Sequence, residues 1–382
     1  MNAARLVLED GSVFNGVAFG AAADAVFELV FNTAMTGYQE VITDPSYRGQ
    51  GVLFTCPHIG NVGVNPEDVE AEVPQVSAVV VRAISPVTSN WRATGSLSEW
   101  LRTHGVPGIS EIDTRLITRK LRQGGTMRAA ISTKDTPADK LLDMARSWPG
   151  LDGVDTVKLV TCTTPYEWTG DPGQRWVSAP GAVESARGHN ARPHVVVLDF
   201  GVKRSILRHL HARGAKLTVV PATTSAQQVL ALKPNGIMLS NGPGDPAGVP
   251  YAVQTIMRLL DSGVPMLGIC LGHQLIGLAL GGKTRRLKFG HHGSNHPVKD
   301  IRTGKVWITA QNHNFHVDIE TLPGTVELTH FSLNDGSLEG MEFRDRPVFS
   351  VQFHPEAGPG PHDAFGIFAR FFNLINKFTQ TR

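Results

Sequence analysis

The chain has 382 residues, which suggests two or three domains and is enough to bury a core without disulfides or metals. Lys plus Arg number 36 and Asp plus Glu 34, a net charge of +2, which gives no electrostatic reason to expect nucleic acid or an anionic membrane as partner. With 18 % charged and 41 % hydrophobic residues, the composition argues against a disordered chain, and its 40 Gly and 24 Pro, without a repeat, read as many short loops.

Residues 1–150 read as an α+β domain with much strand. Strand patterns fall at Leu6–Leu8, Ser12–Phe14, Val17–Phe19, Ala25–Phe31, Gly51–Thr55 and Val76–Val81. Helical patterns fall at Leu97–Thr103, Thr114–Gln123 and Asp139–Ser147. Residues 151–193 have linker composition, with Trp168-Thr169-Gly170-Asp171-Pro172-Gly173, Ala179-Pro180-Gly181 and Ala186-Arg187-Gly188-His189-Asn190; Trp168 and Trp176 suggest packing on a domain surface.

From His194, residues 194–382 alternate strand and helix. The pairs are Val195–Leu198 with Val202–Arg213, Leu217–Val220 with Ser225–Leu232, Ile237–Leu239 with Tyr251–Leu260, and Pro265–Ile269 with His273–Leu280. Tandem β-α units predict an α/β fold, a mostly parallel sheet flanked by helices, with sites at the C-terminal strand ends. Those ends carry Asp199-Phe200-Gly201, the loop Asn241 to Pro246, and Cys270. Gly263 to Gly282 is long enough to span a membrane, but Pro265, Gly268, His273 and Gln274 favour a buried strand turning into a buried helix.

Three cysteines, Cys56, Cys162 and Cys270, with no C-x-x-C motif, argue against a disulfide framework and fit a reducing cytoplasm. Residues 1–25 lack the basic start and apolar run of a signal peptide.

Gly268-Ile269-Cys270-Leu271-Gly272-His273-Gln274 has the G-x-nucleophile-x-G form where a strand turns into a helix. Such a turn aims sulfur at the end of the sheet and beside a helix N-terminus, which favours thiolate. The Leu271 N–H can then face a developing oxyanion. A thiol nucleophile needs a base. Val348–Phe353 reads as a strand running into His354-Pro355-Glu356, where Glu356 can hold the imidazole while His354 takes the thiol proton. The bland alternatives are a structural cysteine and a surface histidine; the pairing of the two motifs argues against both.

Ser240-Asn241-Gly242-Pro243-Gly244-Asp245-Pro246 lets backbone N–H groups approach a ligand, but lacks the third glycine of a dinucleotide fingerprint. His291, His292 and His296 cluster without a carboxylate or Cys at ligand spacing, so no metal is expected in this chain. Arg285-Arg286-Leu287-Lys288 reads as a solvated strand face.

From His194 onward the chain resembles class I, triad-type glutamine amidotransferases, on the Cys270 and His354-Pro355-Glu356 motifs. Nearly the whole chain resembles the carbamoyl phosphate synthetase small-subunit family. The motifs are Phe31 to Glu40, Thr43-Asp44-Pro45-Ser46-Tyr47, Pro57 to Asn61, Ser89-Asn90-Trp91-Arg92, Ile112-Asp113-Thr114-Arg115, Gly290-His291-His292-Gly293 and Asn295-His296-Pro297-Val298. The resemblance implies glutamine hydrolysis through a γ-glutamyl thioester, with ammonia passed to a large ATP-using subunit for arginine or pyrimidine synthesis. It implies Cys270 as nucleophile, His354 as acid and base, Glu356 as its orienter, and Leu271 and Gly242 as oxyanion donors. Ser46, Gly242, Gly244, Leu271, Gln274, Asn312, Asn314 and Phe315 would bind glutamine, across the domain interface. No cofactor is expected in this chain, which has no Walker-type loop; ATP, bicarbonate and metal are expected on the large subunit, with no nucleic acid or membrane partner.

The chain departs from the family at Asn314 and Gly358, where Gly and Ser are usual. Asn314 is expected to keep a left-handed backbone, with side-chain crowding, and Gly358 to cost local order. Two rival readings are a free-standing Cys hydrolase, such as a γ-glutamyl peptidase, and a non-catalytic assembly subunit. Failure to bind any large subunit would favour the first, and an inert Cys270 the second.

Overall fold

The computed structural model describes residues 3–177 and 192–380, so the motifs within 179–190 lie outside the described residues. In the first half, seven strands close into a barrel. Around it run Ala3–Leu8, Val13–Gly20, Pro107–Ser110, Ala78–Val80, Gln50–Phe54, Asp24–Asn32 and Met127–Ser132. Closure comes from Ala3–Leu8, which pairs on one edge with Val13–Gly20 and on the other with Met127–Ser132. Side chains alternate across each strand. Leu29, Leu53, Val80 and Ile131 fall in one cluster with Ile117 and Leu121 of helix Thr114–Gly124. Val30, Val52, Phe54 and Val79 fall in another with Tyr38, Val41, Ile42 and Tyr47. That second cluster carries the turn Asp44-Pro45-Ser46 that reaches the site, where the Asp44 side chain accepts from Ser46 N at 2.9 Å.

The second half is built on a sheet of ten strands. Its order is Tyr166–Trp168, Lys216–Pro221, His194–Asp199, Gly236–Leu239, Met266–Ile269, Val348–Val351, Leu338–Phe343, Val326–Ser332, Thr284–Asp300 and Val306–Val317. Lys216–Pro221 through Val348–Val351 run parallel, and the remaining pairs are antiparallel. Successive residues of His194–Asp199 serve two cores: Val196 and Leu198 pack with helix Pro250–Leu260, and Val195 and Val197 with helix Gly366–Gln380. Both faces are covered, as a parallel sheet requires. Gly263 to Gly282 forms the buried strand Met266–Ile269 and the helix Leu271–Ala279; no helix among the described residues is long and apolar enough to cross a membrane.

Part of the stretch with linker composition is built into this half. Tyr166–Trp168 extends the sheet by pairing with Lys216–Pro221, and Val157 is a core residue. The antiparallel hairpin Thr284–Asp300/Val306–Val317 has register shifts between Arg286 and His291 and between Gly293 and His296. Its polar, histidine-rich sequence has no clean alternation, which hid it from the sequence reading. The run Arg285–Lys288 is likewise not a plain solvated face: Arg286 pairs with Glu28 of the barrel and with Asp152.

The halves interlock through buried polar contacts. The Glu70 carboxylate accepts from Ser205 N at 2.9 Å and Ser205 Oγ at 2.6 Å, and Thr33 N donates to His292 O at 3.1 Å.

Candidate active site

Strand Met266–Ile269 ends at Cys270, whose φ of 52° and ψ of −103° are left-handed for a residue with a side chain. Such a conformation costs of order 1–3 kcal/mol and persists only where its surroundings enforce it. Here Cys270 N donates to Val351 O at 2.9 Å and Gly272 N to Ser240 O at 3.0 Å. The flanking glycines are steric necessities: a Cβ on Gly272 would lie 2.3 Å from Leu239 O, and one on Gly268 2.8 Å from Gly272 O. Cys270 is buried, with Sγ 3.5 Å from Asn312 O. Leu271 opens the helix Leu271–Ala279, where an N–H has no acceptor within the helix.

His354 follows strand Val348–Val351, and its N–H donates to Ala310 O at 2.9 Å. His354 Nδ1 lies 2.7 Å from Glu356 Oε1, and both residues are buried. His354 Nε2 is buried without a hydrogen-bond partner in the protein. Burial alone would pull the His354 imidazole down; the charges of Glu356 and Cys270 outweigh it and raise it to about 10. Burial likewise disfavours the Glu356 anion, but the charges of Lys203 and His354 hold its carboxyl down at about 2. Lys203 Nζ lies 3.0 Å from Glu356 Oε1 and donates to Ala357 O at 2.5 Å.

A small pocket beside Cys270 is lined by Ser46, Gln50, Gly242, Gly244, Gln274 and the segment Asn312 to Asn314. Asn241 Nδ2 donates to Ser46 Oγ at 2.9 Å, and Asn312 Nδ2 to Asp44 Oδ2 at 2.8 Å, so two contacts cross between the halves at the pocket wall. Gln274 Nε2 donates to Phe315 O at 2.7 Å. Gly242 leaves no room for a side chain, since a Cβ would lie 2.2 Å from Phe200 O. Gly244 has a φ of +82°, and a Cβ there would meet Thr156 Oγ1 at 2.2 Å. Ser46, Gly242, Gly244, Gln274, Asn312 and Asn314 of the residues read as a glutamine set thus line the pocket with Cys270, Leu271 follows Cys270 in the chain, and Phe315 does not line it but holds Gln274 through its carbonyl.

Asn314 departs from expectation. It sits inside the extended strand Val306–Val317 and is not among the positive-φ residues, so no left-handed backbone is called for. Its amide bridges the halves: Oδ1 lies 3.0 Å from His292 Nε2, and Nδ2 donates to Glu28 Oε1 at 2.9 Å. Gly358 has a φ of +63° against Glu70, where a Cβ would lie 2.3 Å from Oε1.

Of the three histidines, His292 separates from the other two. His292 faces Asn312 and Asn314, whereas His291 lies beside Asp335, Glu339, His313 and His296. Those carboxylates come from a distant segment, beyond the reach of local spacing. Lys203, Asp44 and Asn241 were also missed as site residues. Their only signal was position: Asp44 in the Thr43-Asp44-Pro45-Ser46 motif, Lys203 after the first strand-end loop, and Asn241 in the glycine loop.

Two family models match. The one described as Glutamine amidotransferase class-I covers residues 196–374, and Carbamoyl-phosphate synthase small chain, CPSase domain, covers residues 6–131. The carbamoyl phosphate synthase small chain of Escherichia coli (strain K12) is 50 % identical over 382 residues, covering 100 % of this chain and 99 % of that one. The chloroplastic small chain of Oryza sativa subsp. japonica is 50 % identical over 376 residues, covering 98 % and 82 %. That of Thioalkalivibrio sulfidiphilus (strain HL-EbGR7) is 50 % identical over 377 residues, covering 97 % of each chain.

Proposed function

Because the chain belongs to the carbamoyl-phosphate synthase small-chain family, we propose that it hydrolyses glutamine to glutamate and ammonia for a large, ATP-using partner subunit. The observation that carries this reading is Cys270 in its strained strand-to-helix turn, beside the buried His354–Glu356 pair.

Glutamine binds with its amide carbon at Cys270 Sγ, against Ser46, Gly242, Gly244, Gln274, Asn312, Asn314 and Phe315. The thiol proton passes to His354 Nε2, a transfer favoured because the Glu356 carboxylate makes the ring more basic. Sulfur attacks, and the N–H groups of Leu271 and Gly242 hold the oxyanion. His354 returns the proton to the departing nitrogen, releasing ammonia and leaving the γ-glutamyl thioester. The neutral ring then takes a proton from water, whose oxygen attacks the thioester carbon; glutamate leaves and the thiol is restored. Glu356 keeps Nδ1 protonated and the ring aimed throughout.

A second small cavity touches His354 and is walled by Asn32, Ala34, Lys203, Gly293 and Pro359 of both halves, and in this reading ammonia leaves on that side. Bicarbonate, ATP and the metal of carbamoyl phosphate formation belong, in this reading, to the partner. A cytoplasmic setting goes with it, since all three cysteines are free.

Acid quenching during turnover of labelled glutamine tests the chemistry. Label should appear on the Cys270 peptide and be released by base. Its absence there, or equal labelling of a Cys270→Ser chain, would contradict the thioester.

A further inference from the structure

We propose that His291, His313 and Glu339 form a structural site for Zn²⁺ beneath the glutamine pocket. Nδ1 or Nε2 of each ring and a Glu339 oxygen lie within 4.8 Å of one another, and all three residues are buried. His291 Nδ1 and Glu339 Oε1 are 3.7 Å apart, and neither has a hydrogen-bond partner. His313 Nε2 lies 4.0 Å from the same Glu339 oxygen. Unpaired buried polar atoms are costly, and these converge on one point.

The outward contacts are those of metal-bound histidines, whose second ring nitrogen is held by a carboxylate or carbonyl. His291 Nε2 lies 2.9 Å from Asp335 Oδ2, and His313 Nδ1 lies 2.7 Å from Phe315 O. Glu339 is oriented through its other oxygen, which accepts from Gln311 Nε2 at 2.8 Å. The inward His291 Nδ1 and Glu339 Oε1 are left to a ligand.

His313 meets an acceptor at each of its ring nitrogens. A ring with a single N–H can donate from only one of its two nitrogens. Yet Nδ1 faces the Phe315 carbonyl, and Nε2 faces Gln311 Oε1 at 2.9 Å, two acceptors. A cation at this point would meet His313 Nε2 and, beside it, Gln311 Oε1 as a fourth donor. Zinc bonds of ~2.1 Å put tetrahedral ligand atoms roughly 3.4 Å apart, so the cluster needs only small inward shifts. Two imidazoles with a carboxylate suit zinc better than calcium or magnesium.

The ion would tie Thr284–Asp300 and Val306–Val317 to Leu338–Phe343. His313 stands between Asn312 and Asn314, and Phe315 O, which holds His313, also accepts from Gln274. Its role is therefore to fix the pocket wall, away from the reacting sulfur.

The test uses the full chain carrying Cys270→Ser, so that sulfur cannot capture the ion. After chelation, Co²⁺ titration should show one equivalent bound, with tetrahedral d–d bands and no thiolate charge transfer, and Zn²⁺ should displace it and raise Tm. Adding His291→Ala or Glu339→Gln should abolish stoichiometric binding, and Asp335→Asn should weaken it about 10–100-fold. If His291→Ala does not fold, the shape-conserving Glu339→Gln decides. Absence of stoichiometric binding, or binding indifferent to Glu339→Gln, would overturn the site and leave a network held by protons alone.

Discussion

Lys203 Nζ lies 3.0 Å from Glu356 Oε1, the oxygen that also meets His354 Nδ1 at 2.7 Å. A buried carboxylate between two cationic groups stays charged where a lone one would take up a proton. Lys203 is thus a positioning residue, one step removed from the sulfur.

Lys203→Met should raise the Glu356 carboxyl toward and above its ordinary range, so the acid limb of the glutaminase pH–rate profile should move to higher pH. Removing one partner of a buried ion pair costs about 3–5 kcal/mol, so Tm should fall as well. Lower Tm with an unmoved acid limb would make Lys203 merely structural.

The pair also sets the pH dependence of stability. His354 is raised from 6.5 to about 10, so its contribution is complete below pH 6.5 and lost as pH rises toward 10. Glu356 is lowered from 4.5 to about 2, so its contribution is complete above pH 4.5 and lost as pH falls toward 2. The Tm gap between the native chain and Glu356→Gln should be widest between these windows and narrow on both sides. A gap independent of pH would contradict the coupling.

At the oxyanion loop, Gly242→Ala would push a methyl against Phe200 O, at 2.2 Å, and Leu271 Cδ2, at 2.7 Å. Displacing one oxyanion donor should lower kcat about 10²–10³-fold. Thioester formation by acid quench should slow to match. Near-normal turnover would remove Gly242 N–H from the mechanism.

For Asn314, replacement by glycine should strip a bridge of two hydrogen bonds between Glu28 and His292. The expected result is a loss of about 1–3 kcal/mol in stability and a raised KM for glutamine, with kcat little changed. A rise in kcat would instead mark Asn314 as an impediment at the pocket.

The sequence exposed what local chemistry dictates. Gly268-Ile269-Cys270-Leu271-Gly272 is legible because the close approach of Leu239 to Gly272, and of Gly272 to Gly268, forces the glycines, and helix Leu97–Thr103 because its buried Leu97 and Leu101 stand at helical spacing. Barrel closure was not legible, since it depends on Ala3–Leu8 pairing with a strand more than a hundred residues away. The cluster of His291 with Asp335 and Glu339 was hidden for the same reason. Asn314 misled because glycine at a motif position suggests a special backbone, whereas the fold uses the asparagine side chain across the domain interface.

Glutaminase function for a partner is tested most directly by glutamate release from glutamine by the purified chain, with and without a carbamoyl phosphate synthetase large subunit. Low release alone, stimulation by the large subunit, and none from Cys270→Ser are expected. Equal release with and without the partner, or release that survives loss of Cys270, would contradict it.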